Sequence, residues 1–487
     1  MKLARDQRTS WEPVGADGVG LPTVQGEVPM LDIIPSIVEV PSVSEDAEAV
    51  QVPEKIAGFF AEKITGAALD RLPVIDDTTP WESSEAADAC IDAFFGGALP
   101  APTDTWTDAT SDATIERLAM QGLAAHRLEP VDDPTDDAAF VVDLSWLVGY
   151  EVRSGFLPFG ASAYFAADGS VLRIYVCHDD RTYTPGEDGW DQAKWVWKSS
   201  VLTAVGLVDH LGSTHFLTSN VVTTVARETL PVDHPLRRLF KAFTYGAADV
   251  NRAAALTLSN RGGIAHRLWS FTYEGLARML LRGYESVEFE PFPARMAGME
   301  SLGDRYLFRT DGLALYGIFS TYLRNYLGVY FTSEELVRDD GVRAFWQALQ
   351  RRAPGLGLPP LTTAEQFEET LTEFMFAVTG MHAQVGAVVE YLVDPTFMGT
   401  KLVPGQHESD AQSTIQALNL ASLTGLEQPP LIGDYRHLLL DDEARAVFDQ
   451  YQASLKALSE QIEARNSTLD QPFQKLNPAL LDTSVST

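Results

Sequence analysis

The stretch WDQAKWVWKSSVLTAVGLVDHLGSTHF, residues 190–216, contains the strongest structural signal of the chain. It is apolar and too long for a strand, so it predicts a buried helix. His210 and His215 lie inside it, five residues apart. On a regular α-helix this spacing rotates the second ring about 140° past one turn, and the two rings would diverge. A π-type turn near Gly212 to Thr214 would make them converge, and Gly212 would ease the distortion. The alternative is two unrelated histidines on different faces.

A third histidine, His382, lies in a second apolar helical stretch, TGMHAQVG. The other histidines of the chain are interpreted as surface residues or as core residues with satisfied hydrogen bonds. Three imidazoles and one carboxylate form a suitable site for iron and leave positions open for oxygen chemistry. The fourth ligand could be the terminal carboxylate of Thr487, since the sequence ends there without a long polar tail. Termini fray unless they are tied down, so this ligand requires an ordered terminus.

The composition of the chain excludes several classes of function. Its 487 residues include 36 Lys and Arg against 68 Asp and Glu, a formal net charge of −32. Such a polyanion is expected to avoid nucleic acid and anionic membrane surfaces. Residues 1–15 have no apolar segment typical of a secretory signal, and no apolar run reaches the ~18 residues that a membrane helix needs. Cys90 and Cys177 are expected to be reduced thiols, which predicts a cytoplasmic protein.

The pattern along the chain predicts a mainly α fold with a small β-sheet near residues 140–180. FVVDLSWLV, ASAYFAA and VLRIYVC are typical of strands, and Asp168-Gly169 predicts a hairpin turn between the last two. Residues 1–110 are interpreted as an N-terminal arm and helices that pack on the remainder. Residues 111–487 are interpreted as one catalytic domain.

Several separated segments resemble motifs of the lipoxygenase family, and they occur in the same order as in that family. The chain resembles a short bacterial form of the family that lacks the N-terminal β-sandwich domain. The first segment resembles the signature W-x-x-A-K followed by H-x-x-x-x-H, and the last resembles a tail that ends in N-S-I-S-I. The matching segments are Trp190 to Lys194, His210 to His215, His234-Pro235-Leu-Arg-Arg-Leu, Arg309-Thr-Asp311-Gly312-Leu313, Ala377 to His382, Glu463 to Asn466 and Ser484 to Thr487.

The resemblance implies that His210, His215, His382 and the Thr487 carboxylate hold one non-haem iron ion, with manganese as a second possibility. No catalytic residue is expected beyond this metal centre. The implied partners are O2 and a polyunsaturated fatty acid with a 1,4-pentadiene. In the family a hydrogen atom is removed from the methylene between two cis double bonds, and O2 adds to give a hydroperoxide.

Three positions depart from the family pattern. Gly386 stands where the family often has Asn, His or Ser as a weak ligand. Gly206 and Val389 stand where plant members have two glutamines around the ligands. Groups around ligands orient them and tune the metal. Two alternatives therefore stay open: an iron oxygenase or hydroperoxide isomerase with a different substrate, and a metal-free lipid-binding homologue.

An apolar channel for the fatty acid requires side chains near the ligands. Ala254 matches the family position where Ala accompanies S products and Gly accompanies R products, so an S hydroperoxide is expected. Lys401 and Arg267 are candidates for pairing with the fatty-acid carboxylate, but each is interpreted as an exposed surface charge. The candidate substrate-binding residues are Leu207, Leu211, Ala254, Leu258, Ile264 and Phe376.

Overall fold

The fold is described from a computed structural model, which covers most of the chain after residue 107. The described residues are 108–485 without 134, 248–249, 252–253, 256–257, 286–288, 393–394 and 424–428, together with 26–27, 39–40, 78–83, 85–87 and 89 before them.

Helices form most of the described structure. The α-helices are α1 Asp112–Met120, α2 Trp190–Thr203, α3 Asn220–Thr229, α4 Pro235–Phe243, α5 Ile264–Leu268, α6 Tyr273–Glu285, α7 Phe292–Arg295, α8 Leu307–Tyr330, α9 Ser333–Arg338, α10 Asp340–Arg352, α11 Ala364–Phe376, α12 His382–Gly386, α13 Val388–Leu392, α14 Ala411–Leu423 and α15 Asp442–Asn466. Two π-helical segments, π1 Ala204–Ser219 and π2 Ala377–Met381, are inserted among them.

The two π-helical segments each lie within a longer continuous helix. The residues at their junctions keep right-handed helical backbone angles, so α2, π1 and α3 run without a break. We call this run, Trp190 to Thr229, the first histidine helix. In the same way α11, π2 and α12 run continuously from Ala364 to Gly386, and we call them the second histidine helix. Both helices pass through the core, where nearly every side chain of π1 is buried.

A five-stranded antiparallel meander lies beside the first histidine helix. Its strands, in both chain and sheet order, are β3 Glu129–Pro130, β4 Phe140–Asp143, β5 Ala161–Phe165, β6 Val171–Val176 and β7 Arg181–Tyr183. The turn between β5 and β6 is the predicted one: Gly169 has a φ of +84°, and the Asp168 carboxylate accepts from Ser170 N. Two further short strands, β1 Gly26–Glu27 and β2 Glu39–Val40, pair with each other.

The mainly α fold and the small sheet near residues 140–180 are confirmed. The predicted strand FVVDLSWLV is shorter than expected, because it ends at Asp143 and Ser145–Gly149 turns into a 3₁₀ helix. The helices predicted within residues 1–110 lie largely outside the described residues, so the division at residue 110 stays a prediction. Among the described residues, none of the helices combines the length and the apolar character that crossing a bilayer requires.

Candidate metal centre

His210, His215 and His382 meet in the core. The Nε2 atom of His210 lies 3.1 Å from that of His215 and 3.3 Å from that of His382. One nitrogen from each ring lies within 4.8 Å of the others, and all three residues are buried. The three imidazoles therefore converge on one point, and that they bind one metal ion stays a prediction.

The three nitrogens fit a metal ion. At a metal–nitrogen distance of about 2.1 Å, two ligands at right angles lie ~3.0 Å apart, close to both observed separations. The rings are also in the correct protonation state. Burial lowers the pKa of His215 to about 4 and that of His382 to about 3, and burial with the neighbouring imidazoles holds the pKa of His210 well below its ordinary value. Neutral imidazoles are suitable ligands for iron.

The convergence of His210 and His215 follows from π1. The wider π turns extend from Ala204 to Ser219, well beyond the predicted Gly212 to Thr214, which they include. The Thr214 hydroxyl donates to the carbonyl of Asp209 at 2.8 Å, five residues earlier. This side chain therefore satisfies a carbonyl in the segment that brings the two rings together.

Gly212 also has a role in packing that was not predicted, and that it eases the π-type distortion stays a prediction. A Cβ atom at Gly212 would lie 2.8 Å from the Gly283 Cα atom and 2.9 Å from the Leu280 carbonyl oxygen. The Ser213 hydroxyl donates to the Gly283 carbonyl at 2.8 Å in the same place. The backbones of π1 and α6 therefore approach so closely that neither Gly212 nor Gly283 has room for a side chain.

Asp209, next to His210, is fixed by two residues that sequence reasoning missed. Arg127 donates twice to its carboxylate, at 2.5 and 2.6 Å, and the His126 ring bonds to it at 2.7 Å. Burial opposes ionisation of Asp209, but Arg127 and His126 outweigh it and hold its pKa at about 2. Burial also lowers the pKa of His126, so its ring is a neutral hydrogen-bond donor here and not an ion-pair partner. We call Arg127, His126 and Asp209 the Asp209 clamp.

Asn251 is a further residue whose role the sequence did not reveal. Its side-chain oxygen lies 3.0 Å from Nδ1 of His215, and the residue is fully buried. Asn251 is 36 positions from His215, and no local pattern connects the two. It lies three residues before Ala254 in the sequence, in a segment that was singled out only for Ala254.

The departures from the family pattern have distinct surroundings. A Cβ atom built on Gly386 would lie 3.5 Å from Nε2 of His210 and 3.9 Å from Nε2 of His382, so this position faces the three imidazoles. At Gly206 a Cβ atom would instead meet Trp269 and Val388 at 3.3 and 3.2 Å. An indole and a valine thus occupy the space beside Gly206, where a glutamine would need to fit. The side chain of Val389 lies outside the described residues.

The predicted substrate residues fall in different environments. Leu207, three residues before His210, and Leu211, directly after it, are buried, and Ala254 and Ile264 are also buried. Leu258 is half-buried. Phe376 packs against Phe292 with ring centroids 4.4 Å apart and against Tyr316 at 5.9 Å, as a core aromatic residue does. That these side chains line a channel stays a prediction.

The interpretation of Lys401 and Arg267 as exposed surface charges is wrong. Arg267 is 1% exposed and donates to the Gly262 carbonyl and to the Gln416 side chain. The Lys401 side chain is 1% exposed and lies 3.3 Å from the equally buried carboxylate of Asp410. Buried cations require such partners, and helical packing between α5 and the start of α14 supplies them.

The expected fourth ligand, Thr487, lies outside the described residues. Just before it, Ser484 and Val485 are fully buried, and the Ser484 hydroxyl donates to the Tyr245 carbonyl at 2.9 Å. Two other matching segments contact each other. Arg465, in the segment Glu463 to Asn466, donates twice to the buried carboxylate of Asp311 at 2.5 and 2.9 Å.

A mainly helical fold with three imidazoles converging in its core defines a helical protein with a buried histidine cluster that could hold a metal ion. The family model "Lipoxygenase" matches residues 169–423, just over half of the chain. The chain therefore belongs to the lipoxygenase family.

Relatives and solved structures agree with this assignment. The chain is 26% identical to polyunsaturated fatty acid lipoxygenase ALOX15 of Oryctolagus cuniculus, over 61% of this chain and 49% of that protein. It is 25% identical to hydroperoxide isomerase ALOXE3 of Homo sapiens, over 63% of this chain and 47% of that protein. The matched region thus spans about half the length of these relatives. The fold matches a crystal structure of coral 8R-lipoxygenase with a TM-score of 0.78 and 18% identity, over 98% of this chain and 79% of that one.

Proposed function

We propose that this protein is a non-haem iron dioxygenase that inserts O2 into the 1,4-pentadiene of a polyunsaturated fatty acid and forms a hydroperoxide. The observation that supports this most is the buried cluster of His210, His215 and His382 in a lipoxygenase fold. The similarity to a polyunsaturated fatty acid lipoxygenase supports the substrate class.

In this proposal the histidines bind the metal ion and the apolar residues around them exclude water. The three histidines would hold the ion through Nε2, and their low pKa values keep the lone pairs available near neutral pH. Bound iron supplies the one-electron chemistry that removes a hydrogen atom from the methylene between two cis double bonds. Leu207 and Leu211 surround His210 with apolar surface, which excludes water from the radical that results.

The test combines metal analysis with oxygen uptake. Purified protein is expected to contain one iron per chain, to consume O2 with linoleate or arachidonate, and to form a conjugated diene. The His215→Ala variant should lose both iron and uptake, whereas His178→Ala, in the turn after β6, should keep both. Metal-free wild-type protein that still binds fatty acid would favour the lipid-binding alternative and overturn the proposal.

A hydroperoxide isomerase is the second candidate, and Gly386 is the observation that favours it. The glycine leaves open the side of the cluster that a Cβ atom at this position would face. Similarity to a hydroperoxide isomerase supports the same alternative. If the open side directs the chemistry to hydroperoxides, wild-type protein should consume fatty-acid hydroperoxide faster than fatty acid. Gly386→Asn, which adds an oxygen ligand within reach, should then shift the preference toward the free fatty acid.

The Thr487 carboxylate stays the proposed fourth ligand. A negative ligand offsets part of the charge of the metal, so its displacement should weaken metal binding. Adding several residues after Thr487 is expected to lower the iron content of the purified protein. Full iron loading in the extended variant would rule out this carboxylate.

A further inference from the structure

We infer that Asn251 is a positioning residue that fixes the tautomer of His215 and sets its strength as a metal ligand. The inference rests on the proposed function, since it requires an ion at the cluster. Its geometric basis is the 3.0 Å contact between the Asn251 oxygen and Nδ1 of His215. A residue in this position acts on the metal through the imidazole that it orients.

The hydrogen bond determines which nitrogen of His215 holds the proton. The Asn251 amide oxygen accepts, so Nδ1 carries the hydrogen, and a neutral ring then leaves Nε2 with a free lone pair. Nε2 is the atom that points at His210. The other tautomer would place a hydrogen on Nε2, where the metal is to bind. Asn251 therefore selects the form of the ring that binds metal.

The interactions of Asn251 indicate a role beyond packing. The residue is fully buried, yet the described part of the chain contains no hydrogen-bond partner for its Nδ2 atom. A buried amide group left without a partner costs about 1–3 kcal/mol. Among the described residues, the hydrogen-bond partner of the Asn251 side chain is His215.

The three rings are not equivalent in this respect. Within the described residues, neither His210 nor His382 has a hydrogen-bond partner outside the cluster. In the part of the chain that the structure describes, His215 is the ring of the cluster with a side-chain acceptor on Nδ1. An acceptor on Nδ1–H raises the basicity of the imidazole, so His215 is expected to be the strongest donor of the three and the one that is tuned by a neighbour.

The experiment compares two substitutions with opposite expected effects. Asn251→Leu removes the acceptor, and iron affinity should fall by about 10- to 100-fold in a chelator competition. Asn251→Asp supplies a stronger acceptor, so iron should bind more tightly than in wild-type protein and the ferric form should be favoured, which lowers the reduction potential. Ser259→Ala is the matched control, because its buried hydroxyl has no partner among the described residues and it should leave affinity unchanged.

Three outcomes decide the inference. Affinities in the order Asp, Asn, Leu, with a lower potential for Asp, support it. An Asn251→Leu affinity within about twofold of wild type overturns it, as does an equal loss in both variants, which would indicate a structural role. Thermal unfolding of each holoprotein identifies a variant that fails to fold, and Asn251→Leu then carries the test because it introduces no buried charge. Wild-type protein without iron would overturn the proposed function itself.

Discussion

The two histidine helices bring ligands to the same point by different means. The first uses sixteen π-helical residues and polar anchors: the Asp209 clamp, the Thr214 hydroxyl and the Asn251 amide. The second has only five π-helical residues, just before His382, and packs mainly through apolar side chains such as Val378 and Met381. Its polar contact nearest the ligand joins the Gln384 amide to the Gly122 carbonyl at 2.7 Å.

The difference follows from the number of ligands on each helix. Two imidazoles from one helix must be correct in both spacing and direction, and five-residue spacing requires a wider turn that regular hydrogen bonds do not maintain. A single imidazole needs only the correct direction, which one local distortion provides. The second histidine helix has one comparable anchor, the Thr379 hydroxyl, which donates to the Met375 carbonyl at 2.7 Å. More of the polar anchors therefore lie on the helix with two ligands, and mutations there are expected to have the larger effects.

Loss of one ligand is expected to have the largest effect of all. His382→Ala removes the one ligand of the second histidine helix, and His215→Ala removes one of two on the first. Each should weaken iron binding by more than about 100-fold, because residues that only orient ligands already contribute 10- to 100-fold. Inductively coupled plasma analysis of the purified variants gives the iron content. A loaded His382→Ala protein would show that the first helix suffices.

Opening the Asp209 clamp should destabilise the fold and the metal site together. Asp209→Asn removes the charge that Arg127 neutralises, and we expect a loss of about 2 kcal/mol in the free energy of unfolding. The folded pKa of Asp209, about 2, lies below its unfolded value. Its stabilisation is therefore complete above about pH 4 and is lost as the pH falls toward 2. Urea unfolding at several pH values should show the gap between wild type and variant narrowing over this range.

Alanine substitutions at glycines test whether the two histidine helices differ in how closely their backbones pack against neighbouring residues. Gly212→Ala collides with the backbone of α6 and should cost about 1–3 kcal/mol. At Gly380, in π2, the new methyl would meet only the ends of Leu315 and Phe376 side chains, both at 3.1 Å, so a change below about 1 kcal/mol is expected.

Gly317 is the matched control for both substitutions. It is exposed within α8 and has no atom within 4 Å of a built Cβ, so Gly317→Ala should stabilise by about 0.5–1 kcal/mol. Thermal melts of the three variants provide the comparison. Equal effects of Gly212→Ala and Gly380→Ala would remove the packing difference proposed between the two helices.

The smallest expected effect concerns product stereochemistry. Ala254 is buried, and one methyl group matters in a close-packed pocket. If that methyl directs O2 to one end of the pentadienyl radical, wild-type product is mainly S, and Ala254→Gly shifts part of it to R at a different carbon. The free energy of unfolding should fall by no more than about 1 kcal/mol. Chiral-phase chromatography of both product mixtures is the measurement, and identical mixtures would place Ala254 away from the oxygen path.

The sequence predicted the parts of the site that depend on local spacing. The five-residue separation of His210 and His215 required a π-type turn, and apolar periodicity predicted both histidine helices. The anchors were not predictable in this way, because Asn251 and His215 are 36 residues apart and Arg127 and Asp209 are 82 apart. The packing role of Gly212 was not predicted for the same reason, since its packing partner Gly283 lies on another helix. Tertiary contacts of this kind leave no periodic trace.

If the three imidazoles bind a metal ion, the stability of the folded chain depends on the concentration of that ion. Because the unfolded chain does not hold these nitrogens together, an ion bound only to the native state stabilises it by mass action. Free iron at a hundredfold excess over its dissociation constant would add about 2.7 kcal/mol. When iron is scarce, the same protein would open more often and be degraded sooner. Its abundance would then follow the iron status of the cell without a separate sensor.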